Sequence, residues 1–476
     1  MLSASSRGLP PGPSISSFRQ GARFGTNPFA YLEACARDHG DCFTLRLPGD
    51  PPRVVCSSPE DVRRIFALEP ERYASHDVSI PLNLGERSLL FLDGDKHLAD
   101  RRLMVPPLHG EHLDGYGRLM QSIVQRSLAE WPRGEPVSFH ARMQWITLSV
   151  IMGCVFGIDE EQRLSRLRTL TTDWLDGTLT PMVFLISVAV TASRVRRFLD
   201  AEVEKSKNLH DRGSRLRFLP WQRLADTKNE IVRILDEEIT RARAAGAEDR
   251  SDVLAMLVRA RYEDGAPMEQ ASLIDELLTL LVGGHETTAN ALCWALMHLL
   301  QNPEALRALR AELDAAFPDG KVDPARARKL PTLDACIKES MRLSPIAPAV
   351  GRTLTQPLSL SHAEIPTGTI VWPCVYLTHR RADLWPEPER FRPERFLGDA
   401  KISPNQFFPF GGGRRRCTGM VFAGMEMQVV MAELLVHAEL RLAEATTPTP
   451  MMRGITVSPA DGLRVVYEGP RRRPAS

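Results

Sequence analysis

The chain has 476 residues, 43% hydrophobic and 25% charged, a balance that excludes a wholly disordered protein. Its 60 lysines and arginines against 59 acids leave a formal charge of +1, which gives no general attraction to nucleic acid or to an anionic membrane surface. The eight cysteines are scattered without a CxxC pair or a dense framework, which argues against a zinc ribbon and a disulfide scaffold and for a reducing, cytoplasmic setting.

The first 20 residues are rich in proline, serine and glycine and read as an irregular segment. They contain no apolar signal-peptide core and no spanning run, so no membrane anchor is expected there. Helical spacing begins at Pro28–Arg37, and Phe43–Cys56 alternates around Gly49-Asp50-Pro51-Pro52 as a β-hairpin would. Helical patterns then dominate: Glu111–Trp131, Met143–Phe156, Asp226–Ala245, Ser251–Arg261, Glu269–Gln301, Pro303–Phe317 and Leu333–Leu343. The apolar stretch Pro181–Val190 is too short to cross a bilayer and reads as core or as a ligand-access segment. Glu269–Gln301 is mostly apolar beyond Leu277, which marks a helix running through the middle of the fold. After Arg342 short β-like pieces appear at Gly351–Leu358, Thr369–Tyr376 and Leu463–Tyr467, and a last helix runs from about Ala423 to Ala438. Residues 469–476, GPRRRPAS, read as a disordered basic tail with solvated arginines. The fold class is mainly α with small β-sheets, in a single domain over residues 21–468.

The most informative run is Phe408-Pro-Phe-Gly-Gly-Gly-Arg-Arg-Arg-Cys417-Thr-Gly419. A thiolate that ligates iron needs its charge stabilised and its sulfur shielded. Glycines let the backbone wrap closely and aim N–H groups at the sulfur, and the helix that follows favours an anion at its start. Phe410 can wall the sulfur, and the arginines can pair with acidic groups of a cofactor. For a lone cysteine, a glycine-rich turn with a buried structural thiol would be the better reading. Here F-x-x-G-x-R-x-C-x-G matches at Phe410, Gly413, Arg415, Cys417 and Gly419, which chance gives on the order of 10⁻⁴ times in this length.

In this loop the chain resembles the cytochrome P450 family, in which the pattern binds haem b and the cysteine is the proximal iron ligand. Ala423 and Glu426 extend the resemblance into the following helix. The resemblance implies cofactor contacts from Phe410, Gly411, Arg415, Cys417 and Gly419, and the family's fold with haem between the long central helix and the cysteine loop.

Three upstream motifs agree in order and spacing. Gly283-Gly-His-Glu286-Thr287-Thr sits inside the long apolar pattern, where glycine and threonine are poor helix formers. A threonine there can bond back to a carbonyl and open a groove, although a helix-packing notch would look the same. By resemblance Thr287 hydrogen-bonds the oxygen and Glu286 belongs to the route that delivers protons. Glu339-x-x-Arg342 is common on its own. With Arg395 of Pro393-Glu-Arg-Phe, the resemblance makes it a buried three-residue ion network behind the haem, structural in role. His97 and Arg101 share one helix face by their spacing. The resemblance aims both at the haem propionates, with Arg352 and Arg415 completing the set.

The activity implied is O2-dependent hydroxylation of a hydrophobic small molecule, such as a fatty acid, terpenoid or steroid-like compound. Electrons are expected from a ferredoxin or flavodoxin with its reductase, because no flavin or iron–sulfur segment is recognisable. Arg414 and Arg416 are candidates for docking that acidic partner. A monomer is expected. The alternatives are a peroxide-driven or isomerising haem–thiolate enzyme, whose members commonly lack the acid–Thr pair, and a haem carrier without turnover. By resemblance the substrate pocket draws on Ser79–Leu90, Val183–Val188, Leu281, Val282, Gly283, Ala347, Val350 and Ile455, with Thr178–Ser193 as its cap.

Overall fold

A computed structural model describes residues 8–74, 83–110, 112–158, 160–178, 192–208, 220–244, 250–399 and 401–472. The expected pocket segments at residues 79–82 and 183–188, most of the expected cap and the apolar stretch 181–190 lie outside these residues.

The helix Gln270–Gln301 runs through the protein, and most of its second half is buried on every side. A helix apolar all round must be covered all round. Phe139–Phe156, Pro331–Leu343, Met420–His437 and the hairpin Pro450–Arg453/Thr456–Pro459 pack against it. Met420–His437 is long and apolar enough to cross a membrane by composition, but 72% of it is buried inside the fold. Phe139–Phe156 begins four residues before the expected Met143, because the Ser138 hydroxyl accepts the Ala141 N–H and Phe139 and His140 are buried in the first turn. Gly157 closes the helix at φ +60, a conformation glycine adopts without strain.

A five-stranded sheet lies to one side, in the order Cys42–Leu45, Arg53–Cys56, Ile370–Pro373, Arg352–Leu354 and Tyr73–Ala74. The first two strands are the expected hairpin, with Cys42 opposite Cys56. The expected strand Gly351–Leu358 is shorter. Arg352 and Thr353 alone pair with Val371 and Ile370, Pro357 removes a donor, and Leu358–Ser359 turns to pair with Glu364–Ile365. Thr369–Tyr376 likewise ends at Pro373 and coils into the helical turn Val375–Thr378. Four helices are not evident in the apolar pattern: Pro59–Phe66, Gly94–Met104, Glu161–Thr178 and Ala192–Asn208. All four are rich in acidic and basic side chains, which equal or outnumber the residues of their buried stripes and mask the helical period.

Both ends depart from expectation. Ser17–Thr26 is a helix, anchored by Gln20, whose amide donates to the Pro13 and Ile15 carbonyls and accepts the Arg46 N–H. The Pro10 and Pro11 carbonyls accept the Thr44 hydroxyl and N–H, so the proline-rich segment lies along the sheet edge. Arg471 is not solvated: its N–H bonds the His437 carbonyl and its guanidinium holds Asp314 at 2.6 Å.

Candidate active site

The cysteine loop is a tight turn pressed onto the helix Pro59–Phe66. The Gly411 N–H bonds the Phe408 carbonyl, and the Cys417 N–H bonds the Phe410 carbonyl at 3.0 Å. Gly413 has φ +66, and a methyl group on Gly412 or Gly413 would overlap the Phe66 ring or its carbonyl. These two glycines therefore serve close packing against Phe66. The backbone N–H of Gly419 is the group of the loop that pulls the thiol down. Cys417 is the exposed one of the eight cysteines, yet burial by its surroundings pushes its thiol up, against the pull of Gly419, Arg101 and Arg416. A group that is open yet stripped of bulk water is one that lines an internal cavity.

Four cationic or potentially cationic side chains converge beside that thiol. His97 is buried and held neutral, at about 4, by desolvation and then by Arg415 and Arg101. Burial pushes Arg352 down to about 10, although Tyr73 and Asp93 oppose it. Arg101 is also pushed down by burial, with Arg415 and Arg416 adding to the effect. Arg415 holds Asp93 at 2.5 Å and the carbonyls of Leu89 and Leu92, which ties the 89–93 turn to the cysteine loop. Three guanidiniums and an imidazole facing one such carboxylate leave a positive excess in a low-dielectric space. Two adjacent carboxylates would balance it. Haem propionates above, with Cys417 as the iron ligand, fit this donor set.

On the other side the helix Gln270–Gln301 presents Gly283, Glu286 and Thr287. A methyl group on Gly283 would meet nothing within 4 Å, whereas one on Gly284 would overlap Ile151. The first glycine opens space and the second allows helix packing. Thr287 bonds its hydroxyl back to the Gly283 carbonyl at 2.6 Å and is partly open beside it. Glu286 is taken up by other side chains. Its oxygens meet His140 Nε2 at 3.2 Å, Gln144 Nε2 at 2.7 Å and Asn290 Nδ2 at 3.2 Å. Burial would raise this acid, but His140, His285 and Gln144 together hold it at about 2.

Of the sequence-derived pocket residues, Val282, Ala347 and Val350 are partly open and Ile455 is exposed. Leu281 is a correction. It is fully buried in the core, while Leu280, on the face shared with Gly283 and Thr287, is partly open.

The three-residue network is assembled. Arg342 holds Glu339 at 2.7 and 2.8 Å, Arg395 Nε lies 3.3 Å from the same carboxylate, and the Arg392 N–H donates to it at 2.8 Å. Arg342 also donates to the His379 carbonyl at 2.8 Å, and His379 Nε2 accepts the Phe408 N–H at 3.0 Å. The network thus reaches the start of the cysteine loop through His379, which sequence reasoning misses although it opens the His-Arg-Arg run before Pro393. His140 is missed as well, and no local signal marks it. Two buried acids also stand out. Desolvation raises Glu276 to about 9, and it raises Glu426 too, whose two oxygens have no hydrogen-bond partner among the described residues.

A sequence model of the family described as cytochrome P450 matches residues 7–465. The chain is 34% identical over 468 residues to "Putative cytochrome P450 135B1" of Mycobacterium tuberculosis, covering 98% of this chain and 92% of that protein. It is 33% identical over 467 residues to "Putative cytochrome P450 138" of Mycobacterium bovis, covering 98% and 97%. Among solved structures it is similar to a retinoic acid-bound cyanobacterial CYP120A1, at TM-score 0.80 and 24% identity over 98% of this chain and 100% of the other. It is also similar to a cytochrome P450DA heme domain, at TM-score 0.80 and 21% identity over 98% of each.

Proposed function

The chain belongs to the cytochrome P450 family of haem–thiolate monooxygenases, and from that premise we propose that it hydroxylates a hydrophobic small molecule with O2 and electrons from a separate protein. When bound, haem b supplies the reductive activation of O2, with the thiolate donating electron density. The observation that carries the reading is the pair of open faces: Cys417 on one side, Gly283 and Thr287 on the other, with the cationic cluster at the edge.

In this reading residues 21–468 are the catalytic domain. Cys417 holds the iron, the Gly419 N–H supports the sulfur's charge, and His97, Arg101, Arg352 and Arg415 hold the propionates. The Thr287 hydroxyl keeps a proton at the open wall, and Glu286 is the acid that resupplies it. Leu280, Val282, Ala347, Val350 and Ile455 give the pocket apolar walls, which favours a fatty acid, terpenoid or steroid-like substrate. Arg414 and Arg416 are exposed beside the loop, Arg414 held by Glu69 at 2.8 Å. They suit docking of an acidic ferredoxin or flavodoxin served by a reductase, in the cytoplasm.

The test is a spin-state titration of the haem-loaded protein against a panel of these compounds, followed by turnover with O2 and a surrogate ferredoxin system. A product heavier by one oxygen atom supports the reading. Product formed from peroxide but not from O2 and electrons would replace it with the peroxide-driven alternative.

A further inference from the structure

One stripe of the helix Phe139–Phe156 is shaped to the Gly284–Glu286 segment. Its members, His140, Gln144, Thr147 and Ile151, are spaced four, three and four apart and so share a face. Ile151 fills the notch at Gly284, and the Thr147 hydroxyl donates to the His285 carbonyl at 3.0 Å. Gln144 and His140 take the two oxygens of Glu286. Asn290 adds a third donor and is itself bonded to the Thr456 hydroxyl. Two of the carboxylate's three donors thus come from the neighbouring helix and the third from Asn290, one turn further along its own helix.

A carboxylate this well paired is ionised near neutrality, so a proton it delivers must first be handed to it. Gln144 and Asn290 are amides and release none. The His285 ring is buried and held neutral, at about 4, by desolvation. That leaves His140, a buried side chain that meets Glu286 through Nε2 and whose backbone N–H bonds the Gly462 carbonyl next to the exposed Asp461. On the central helix His285 and Cys293 feel the charge of Glu286, and Arg453 and Asp461 of the last hairpin region act on Cys293 in turn.

We propose that His140, with Gln144, is the positioning residue of Glu286 and the point at which a proton reaches that carboxylate. The proton leaves Nε2 of the imidazolium for Oε1 of Glu286. The imidazole is left as its Nδ1–H tautomer and returns to the imidazolium by taking a solvent proton at Nε2 once the carboxyl has turned away. The neutral carboxyl, no longer held by an opposite charge, is free to turn toward Thr287. This rests on the proposed activation of O2.

The test uses His140→Gln, which keeps a hydrogen-bond donor but cannot release its proton, and Glu286→Gln, singly and together. The haem-loaded proteins are reduced by a surrogate ferredoxin without substrate, and O2 consumption is followed across about pH 6 to 8 in H2O and D2O. His140→Gln is expected to lower the rate about 10-fold, flatten its pH dependence and raise the solvent isotope effect. Independently of turnover, urea unfolding of the four proteins forms a double-mutant cycle, in which the double variant should unfold no earlier than the worse single one. An additive cycle overturns the positioning. A non-additive cycle with an unaltered pH profile and isotope effect overturns the proton role. If the parent protein consumes no O2, the oxygenase reading and the proton role both fall, while a non-additive cycle still upholds the positioning.

Discussion

The cysteine loop and the Gly283–Thr287 turn of the central helix are both glycine-rich, yet the two regions are built in opposite ways. Around the loop the glycines that carry the turn are filled: Phe66 occupies the space above Gly412 and Gly413, and Arg342, Glu339 and Arg395 are bound to one another in the buried network behind it. Around the turn one glycine is filled by Ile151, and its neighbour is left open beside a hydroxyl. The first region is over-determined, as a ligand that must not move requires. The second keeps its groups free to meet something else.

Substitutions should separate the two regions. The largest effect is expected from Arg342→Ala, which leaves Glu339 buried with one partner fewer. A loss of about 3–5 kcal/mol is predicted, read by urea unfolding together with haem content. Gly413→Ala comes next, at about 2–3 kcal/mol, because the new methyl meets backbone at a positive φ and cannot be relieved by a side-chain rotation. Gly283→Ala should do the reverse. It meets nothing, so the helix gains about 1 kcal/mol, while bulky ligands bind more weakly in a spin-state titration. Equal destabilisation by the two alanines would erase the contrast.

Acid probes the loop side through His379. Desolvation, then Arg342, holds its imidazole at about 3, and Nε2 must stay unprotonated to accept the Phe408 N–H. Its folded value lies below the free one, so its contribution is present above about pH 6.5 and is lost as pH falls toward 3. About 2 kcal/mol should be gone at pH 5, and His379→Gln should flatten that part of the stability curve. The smallest effect is expected at the surface. Reversing the charges of Arg414 and Arg416 should leave folding unchanged and slow reduction by an acidic ferredoxin at low salt only.

The difference between the regions also decides what the sequence reveals. Cys417, Arg415 and Gly419 lie within five residues of one another, and Glu339 and Arg342 within four, so fixed spacing exposes them. Phe66, His140 and His379 act across gaps of 29 to more than 300 residues, and nothing local marks their partners. Leu281 is expected at the pocket where Leu280 faces the open side, because a helix apolar all round has no readable polar face to orient it. The Ser17–Thr26 helix is hidden by the prolines before it, whose carbonyls extend the sheet edge.

That Cys417 is the iron ligand of a haem–thiolate enzyme is tested most directly by the absorption spectrum of the reduced carbon monoxide complex. The parent protein should show the red-shifted Soret band of a thiolate-ligated haem, Cys417→Ala should lose it, and Thr287→Ala should keep it. A parent protein without that band, or a Cys417→Ala variant that retains it, would contradict the assignment.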